Sequence, residues 1–172
     1  MKRIVLLVFV FIAQFTSAQI TMVLKDFDDV KVFDKLSVTL IASNETKAVI
    51  TGPEQTKVEI VNKKGLLKIR MPITKILSGD EAKITLYFKK IHTIDANEGS
   101  VVTCADTFKQ TSLTLNTQEG AKITVPVDVD KTIIKAVSGG IVTLTGKAVT
   151  QTVSVNSGGA LNAKELETSQ TT

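Results

Sequence analysis

A histidine, a cysteine and two glutamates are the side chains of this 172-residue sequence whose types and spacing could do chemistry. His92 is the only histidine and lies three residues before Asp95. A His–Asp pair orients the general base of serine hydrolases. Residues three apart on a strand point to opposite faces, so His92 reads as a solvated strand-end histidine. Cys104, the one cysteine, could form a thiol nucleophile with His92. It follows Val102 by two residues in an alternating apolar run, the place of a small buried side chain. Glu98 and Glu119 each precede a glycine, Gly99 and Gly120. If the segments that hold them stack, their carboxylates stand about 4.8 Å apart. That is close to the carboxylate separation of retaining glycosidases, and two such groups could share a cation or raise one pKa. A sugar cleft also needs polar and aromatic groups to hold its substrate. Trp is absent and Tyr87 is the only Tyr. Glu98 and Glu119 are therefore read as a weak candidate surface pair of corner carboxylates.

No catalytic, cofactor-binding or metal site is assigned, and no cofactor is expected. A single histidine excludes a two-His zinc site within the chain. The glycine motifs that cradle phosphates are missing, as is the Gly-Gly-x-Gly-x-Asp calcium repeat. Asn44-Glu45-Thr46 matches a glycosylation acceptor by spacing alone.

The elements that must position these groups are strands. Thr, Val and Ile together make 59 of the 172 residues, and their stiff branched side chains suit a pleated surface. Lys2 and Arg3 precede ten uncharged, mostly apolar residues, Ile4–Ala13, and small residues Thr16 and Ala18 follow. This is the pattern of an export signal, too short to span a bilayer. Cleavage after Ala18 leaves one domain over residues 19–172 and no stable membrane span. That domain carries 19 basic and 17 acidic side chains, interspersed and without aromatic-laced basic stripes, which argues against nucleic acid. With one cysteine it is stabilised by its core, not by disulfides.

Residues 19–97 read as irregular strands with turn punctuation: Leu36–Ala42, Lys47–Thr51, Lys57–Val61, Leu66–Met71, Ala82–Phe88 and Ile91–Ala96. Ile73–Leu77 is the one short helix candidate. Residues 98–172 repeat. Gly99, Gly120, Gly140 and Gly159 are spaced 21, 20 and 19 apart, and each is followed by an alternating apolar strand. A second strand follows about ten residues later, at Ser112–Leu115, Thr132–Ala136 and Thr152–Val155. A period near 20 without helices predicts an all-β parallel β-helix, or β-solenoid, with a glycine at each corner. The regular glycine spacing favours it over a β-sandwich. In that arrangement Val102, Ile123, Val142 and Leu161 form one inward column, and Leu113, Ile133 and Val153 a second. Thr143/Thr145 and Thr150/Thr152 give hydroxyl rows outside.

These features carry a resemblance. Phe27-Asp28-Asp29-Val30-Lys31-Val32, Val38-Thr39-Leu40, Gly65-Leu66-Leu67-Lys68-Ile69, Ser138-Gly139-Gly140-Ile141-Val142 and Ser157-Gly158-Gly159-Ala160-Leu161-Asn162 resemble the bacterial family called "putative auto-transporter adhesin, head GIN domain". The resemblance spans nearly all of residues 19–172. It implies a right-handed parallel β-helix of pectin-lyase-like shape, without that fold's catalytic residues, and an adhesion role. Two departures stand out. The Ser-Gly-Ser-Gly corners of the family are Glu-Gly or Gly-Gly here, and only 13 residues follow Gly159. The tail is expected to be frayed, covered by a partner, or cut short.

The sequence thus predicts an exported, non-enzymatic protein of the bacterial envelope, periplasmic, surface-bound or secreted, with an adhesin-type or scaffold role. Its expected partners are a cell-surface glycan or another envelope protein. The alternative is a polysaccharide-active enzyme or a carbohydrate-binding module on the same scaffold.

Overall fold

The computed structural model describes residues 19–172. The export signal read over residues 1–18 lies outside them. Thirteen strands form: β1 (Ile20–Val23), β2 (Asp29–Val32), β3 (Ser37–Ala42), β4 (Lys47–Thr51), β5 (Glu59–Lys63), β6 (Leu66–Arg70), β7 (Lys83–Phe88), β8 (Thr93–Ala96), β9 (Val101–Cys104), β10 (Phe108–Thr117), β11 (Lys122–Ala136), β12 (Ile141–Val155) and β13 (Ala160–Thr171). The helix candidate at Ile73–Leu77 is a single 3₁₀ turn, Ile73–Lys75. No helix among the described residues is long and apolar enough to cross a membrane.

The expected right-handed parallel β-helix of pectin-lyase-like shape does not form. All thirteen strands belong to one mixed sheet that curls into a half-barrel. Two features overturn the expectation. First, chain reversals in the N-terminal half make antiparallel pairs: β1 with β4, β4 with β7, and β5 with β6. The β5–β6 hairpin turns at Lys64 and Gly65, both at positive φ, the geometry that matches strand twist. Second, the two short strands expected in each repeat are one continuous strand. β11 and β12 run for 15 residues each. β11 pairs with β9 through Lys122–Thr124 and then with β10 from Val127 onward. The sheet therefore bends through long strands and turns sharply only once per repeat, so its walls remain one surface. The expected fraying of the tail is also absent: Ala160–Thr171 is a strand on β12.

The parallel pairs around β11 do carry a short period. β10 to β11, β11 to β12 and β12 to β13 each begin with a 19-residue offset. This offset decides which side chains meet. Ile84, Val38, Val102, Ile123, Val142 and Leu161 stand side by side on successive strands. The first five are buried and Leu161 is partly exposed. The second expected column is corrected. Leu115 aligns with Ile134 and Val153, and the row continues through Ile94, Val30 and Leu67. Leu113 aligns instead with Thr132 and Gln151. Ile133 faces outward, 36% exposed. The expectation spaced Leu113, Ile133 and Val153 by 20, and a slip of one residue turns a side chain to the other face of a strand. Each fully buried Ile, Leu or Val in these rows contributes about 1.5–3 kcal/mol, and one continuous core joins both walls.

Candidate functional site

Each repeat makes its sharp turn with two consecutive residues at positive φ. Glu98–Gly99 (54° and 70°), Glu119–Gly120 (54° and 73°), Ser138–Gly139 (49° and 76°) and Ser157–Gly158 (50° and 76°) are four such pairs, and Asp34–Lys35 (59° and 60°) is a fifth. Backbone hydrogen bonds stack them. The Lys35 N–H donates to Glu98 O at 2.9 Å, Gly99 to Glu119 O at 2.9 Å, Gly120 to Ser138 O at 3.1 Å, and Gly139 to Ser157 O at 3.2 Å. The predicted corner glycines thus fall into two kinds. Gly99 and Gly120 supply the left-handed turn, whereas Gly140 and Gly159 follow it. The latter two are required by close approach: a Cβ on Gly140 would lie 2.6 Å from the Thr117 carbonyl carbon, and one on Gly159 would lie 2.2 Å from Ala136 O.

Glu98 and Glu119 occupy neighbouring turns of this stack, and Asp34 stands on the far side of Glu98. Asp34 was missed because Lys35, not glycine, follows it. A signal was present: Val38 follows Asp34 by four residues, as Val102 follows Glu98. Asp34 is 4% exposed. Its Oδ2 accepts the Met71 N–H at 2.9 Å and its Oδ1 the Leu77 N–H at 3.1 Å. Its carbonyl accepts the Gly79 N–H at 2.9 Å. One aspartate therefore clasps the whole segment 71–79. Leu77 is held at φ 62°, a conformation that costs free energy for a bulky residue and persists only under such constraint.

The clasped segment closes a shallow cavity of about 240 Å³. Phe33 and Met71 line it with Ile73 and Ile76, and Lys68, Arg70, Asp34 and Glu98 supply its charges. Burial pushes the Glu98 carboxyl above the usual glutamate value, and the neighbouring Asp34 and Glu119 charges push in the same direction. Arg70 is engaged by Glu59, with Nε and Nη2 each 3.0 Å from Oε2. Glu119 does not line the cavity, so the two predicted glutamates share a stack but not a cleft. Among the described residues no three His, Cys, Asp or Glu side chains converge to hold a metal ion.

The other candidates lie apart. His92 Nδ1 is 4.0 Å from Asp28 Oδ1, with both side chains well exposed. Asp95 is paired elsewhere, 2.7 Å from Lys31 Nζ and 3.0 Å from Asn97 Nδ2. Cys104 is buried and donates its S–H to Asp106 O at 3.3 Å. Burial pushes its thiol up to about 11, which leaves little thiolate for nucleophilic attack.

On the other wall the register builds a feature that reading along the chain could not show. Thr85, Thr39, Thr103, Thr124 and Thr143 align across β7, β3, β9, β11 and β12, and Asn162 extends the row on β13. None of the five threonines is buried, and Thr39 and Thr124 are exposed on the outer face while the other three are half-buried. The sequence had offered only threonine pairs along one strand.

Residues 26–172 match the family model described as "Putative auto-transporter adhesin, head GIN domain". The chain belongs to this family. Solved structures with the same fold include a putative adhesin from Bacteroides fragilis, with 16% identity and a TM-score of 0.80 over 88% of this chain and 72% of that one. A putative adhesin from Parabacteroides distasonis has 20% identity and a TM-score of 0.70 over 90% and 76%. A putative lipid binding protein from the same species has 12% identity and a TM-score of 0.59 over 90% and 76%. No curated protein matches this head GIN family member. At these identities the neighbours establish its fold alone.

Proposed function

We infer that this is an exported, non-enzymatic, adhesin-type protein of the bacterial envelope that uses its curled sheet as a rigid contact surface. The observation that carries the reading is the threonine row on the outer wall. Five hydroxyls on adjacent strands repeat about every 4.8 Å, a length of the order of one sugar unit. Such a row offers many weak hydrogen bonds, direct or through water, to an extended glycan laid across the strands. Membership of an adhesin family supports the same reading. The alternative, a polysaccharide-active enzyme, would require Glu98 and Glu119 to face one cleft, and only Glu98 lines the cavity.

A glycan array tests the reading, with the protein and a Thr39→Val/Thr124→Val variant that keeps the branched shape and removes two central hydroxyls. The reading expects binding to an extended glycan that falls at least tenfold in the variant. Absence of any glycan binding, or binding untouched by the substitutions, would overturn it. Export is tested by sequencing the N-terminus of the envelope-fraction protein. It should begin at Gln19, and a chain retaining Met1 there would contradict the signal.

A further inference from the structure

The charge of this chain is unevenly placed. Residues 57–77 hold six basic side chains and one acidic, while the rest of residues 19–172 hold 13 basic and 16 acidic. The fold gathers this segment at one end of the sheet, in the β5–β6 hairpin and the segment clasped by Asp34. On the hairpin's outer face Val61 pairs with Lys68 and Lys63 with Leu66. Lys68 and Arg70 share the cavity wall with Ile73 and Ile76. Lys63, Lys64 and Lys68 are exposed and make no ion pair among the described residues.

The same segment turns large apolar side chains to water: Ile73 is 82% exposed, Ile76 56%, Val61 49% and Leu77 45%. Lys68 lies among them, opposite Val61 and on the cavity wall with Ile73 and Ile76. Lys63 and Lys64 stand at the other end of the hairpin, where Asp28 and Asp29 donate their N–H groups to Gly65 O. The segment is not simply loose, because Asp34 holds both of its ends. Leu77 is kept in a left-handed conformation while its side chain stays outside the core.

We propose that this end of the molecule docks on an anionic lipid surface, with Ile73, Ile76 and Leu77 entering the interfacial layer and Lys63, Lys64 and Lys68 meeting lipid headgroup phosphates. Exposed cations and exposed aliphatic side chains carried by one hairpin and the segment that follows it are what peripheral binding to anionic bilayers uses, since apolar burial and electrostatic attraction add. A soluble polyanion would use the lysines and gain nothing from Ile73 and Ile76, whereas a lipid surface engages both. The site lies on a different wall from the threonine row and does not depend on the glycan reading.

Vesicle co-sedimentation tests it, with the chain from Gln19 onward, which contains all thirteen strands and the core. The probes are vesicles of phosphatidylcholine with and without phosphatidylglycerol, and dextran sulfate as a soluble polyanion. The proposal expects binding to the anionic vesicles and little to the neutral ones. Lys63→Gln/Lys64→Asn/Lys68→Gln should weaken it about 100-fold, at about a factor of five per lysine. Asparagine is used at position 64 because it tolerates the left-handed backbone there. Ile73→Ser/Ile76→Ser alters only exposed side chains and should weaken vesicle binding severalfold while leaving dextran sulfate binding unchanged. Circular dichroism confirms that each variant is folded. No binding to anionic vesicles, equal binding to neutral ones, or vesicle binding indifferent to the isoleucine substitutions would overturn the proposal.

Discussion

The strands β10–β13 and the strands β1–β7 solve the same packing problem in different ways. In the C-terminal region long parallel strands repeat with a 19-residue offset, so like stacks on like and each repeat turns through a pair of left-handed residues of nearly the same geometry. In the N-terminal region antiparallel pairs, one of them a hairpin, break the parallel order, a lysine replaces the corner glycine, and a clasped irregular segment covers the flank. The two regions share one core, yet the cavity, the strained Leu77 and the clustered cations all lie where the repeat breaks. Repetition gives nearest-neighbour stability. Departure from it frees positions to carry something other than packing.

The largest expected effect lies inside the repeat. Ile123 is fully buried with Val102 on one side and Val142 on the other, so Ile123→Ala should cost about 2–5 kcal/mol. Leu161 stands on the last described strand, partly exposed, with Val142 on one side. Leu161→Ala should cost about 1 kcal/mol. Denaturant midpoints of the two variants compare them, and equal losses would break the distinction between interior and terminal strands.

A smaller effect separates the two kinds of corner glycine. Gly140→Ala places a methyl 2.6 Å from Thr117 backbone and should cost about 2–3 kcal/mol, at the upper end of overpacking. Gly120→Ala meets nothing within 4 Å and suffers only from its positive φ, about 1 kcal/mol. Thermal melts of both should rank them in that order, and the reverse ranking would mean that the turn, not the close approach, selects the second glycine.

The smallest effect is at the junction of the two regions, where Glu98 meets Asp34. The Glu98 carboxyl is raised by burial and then by the neighbouring charges, so the folded chain holds this proton more tightly than the unfolded one. The resulting stabilisation is complete below the ordinary value of 4.5 and is lost as pH rises through the raised value. Glu98→Gln removes this dependence. The stability of the parent relative to the variant should therefore fall as pH rises above the ordinary glutamate value of 4.5. A difference that stays flat as pH rises would show that neither burial nor the neighbouring charges raise Glu98 in the folded chain.

These contrasts also mark what the residues could reveal. The β-branched composition and alternating runs were enough for an all-β chain, and the glycine spacing was enough for stacked strands with Val102, Ile123, Val142 and Leu161 in line. The sheet's mixed character was hidden because strand direction is set by turns such as Lys64–Gly65, which look the same beside parallel or antiparallel neighbours. Leu113 and Ile133 were misplaced because an average period of 20 is one residue too long where β10 meets β11. Glu98 and Glu119 were visible beside their glycines. Asp34, which organises the site, was not, since its role depends on backbone N–H groups 37 and 43 residues away. The threonine row and the basic, apolar end emerge only across strands.

Native-state amide hydrogen exchange tests the difference between the two regions most directly. Amides of β11 from Ile123 to Val129, Pro126 excepted, and of β12 from Val142 to Ala148 lie in the interior of the stack and should exchange only through global unfolding. Amides of the 72–81 segment, held chiefly by Asp34, should exchange through local opening with much lower protection. Comparable protection in the two segments, or faster exchange in the interior of β11, would contradict the view of a rigid repeated stack bearing a separately opening flank.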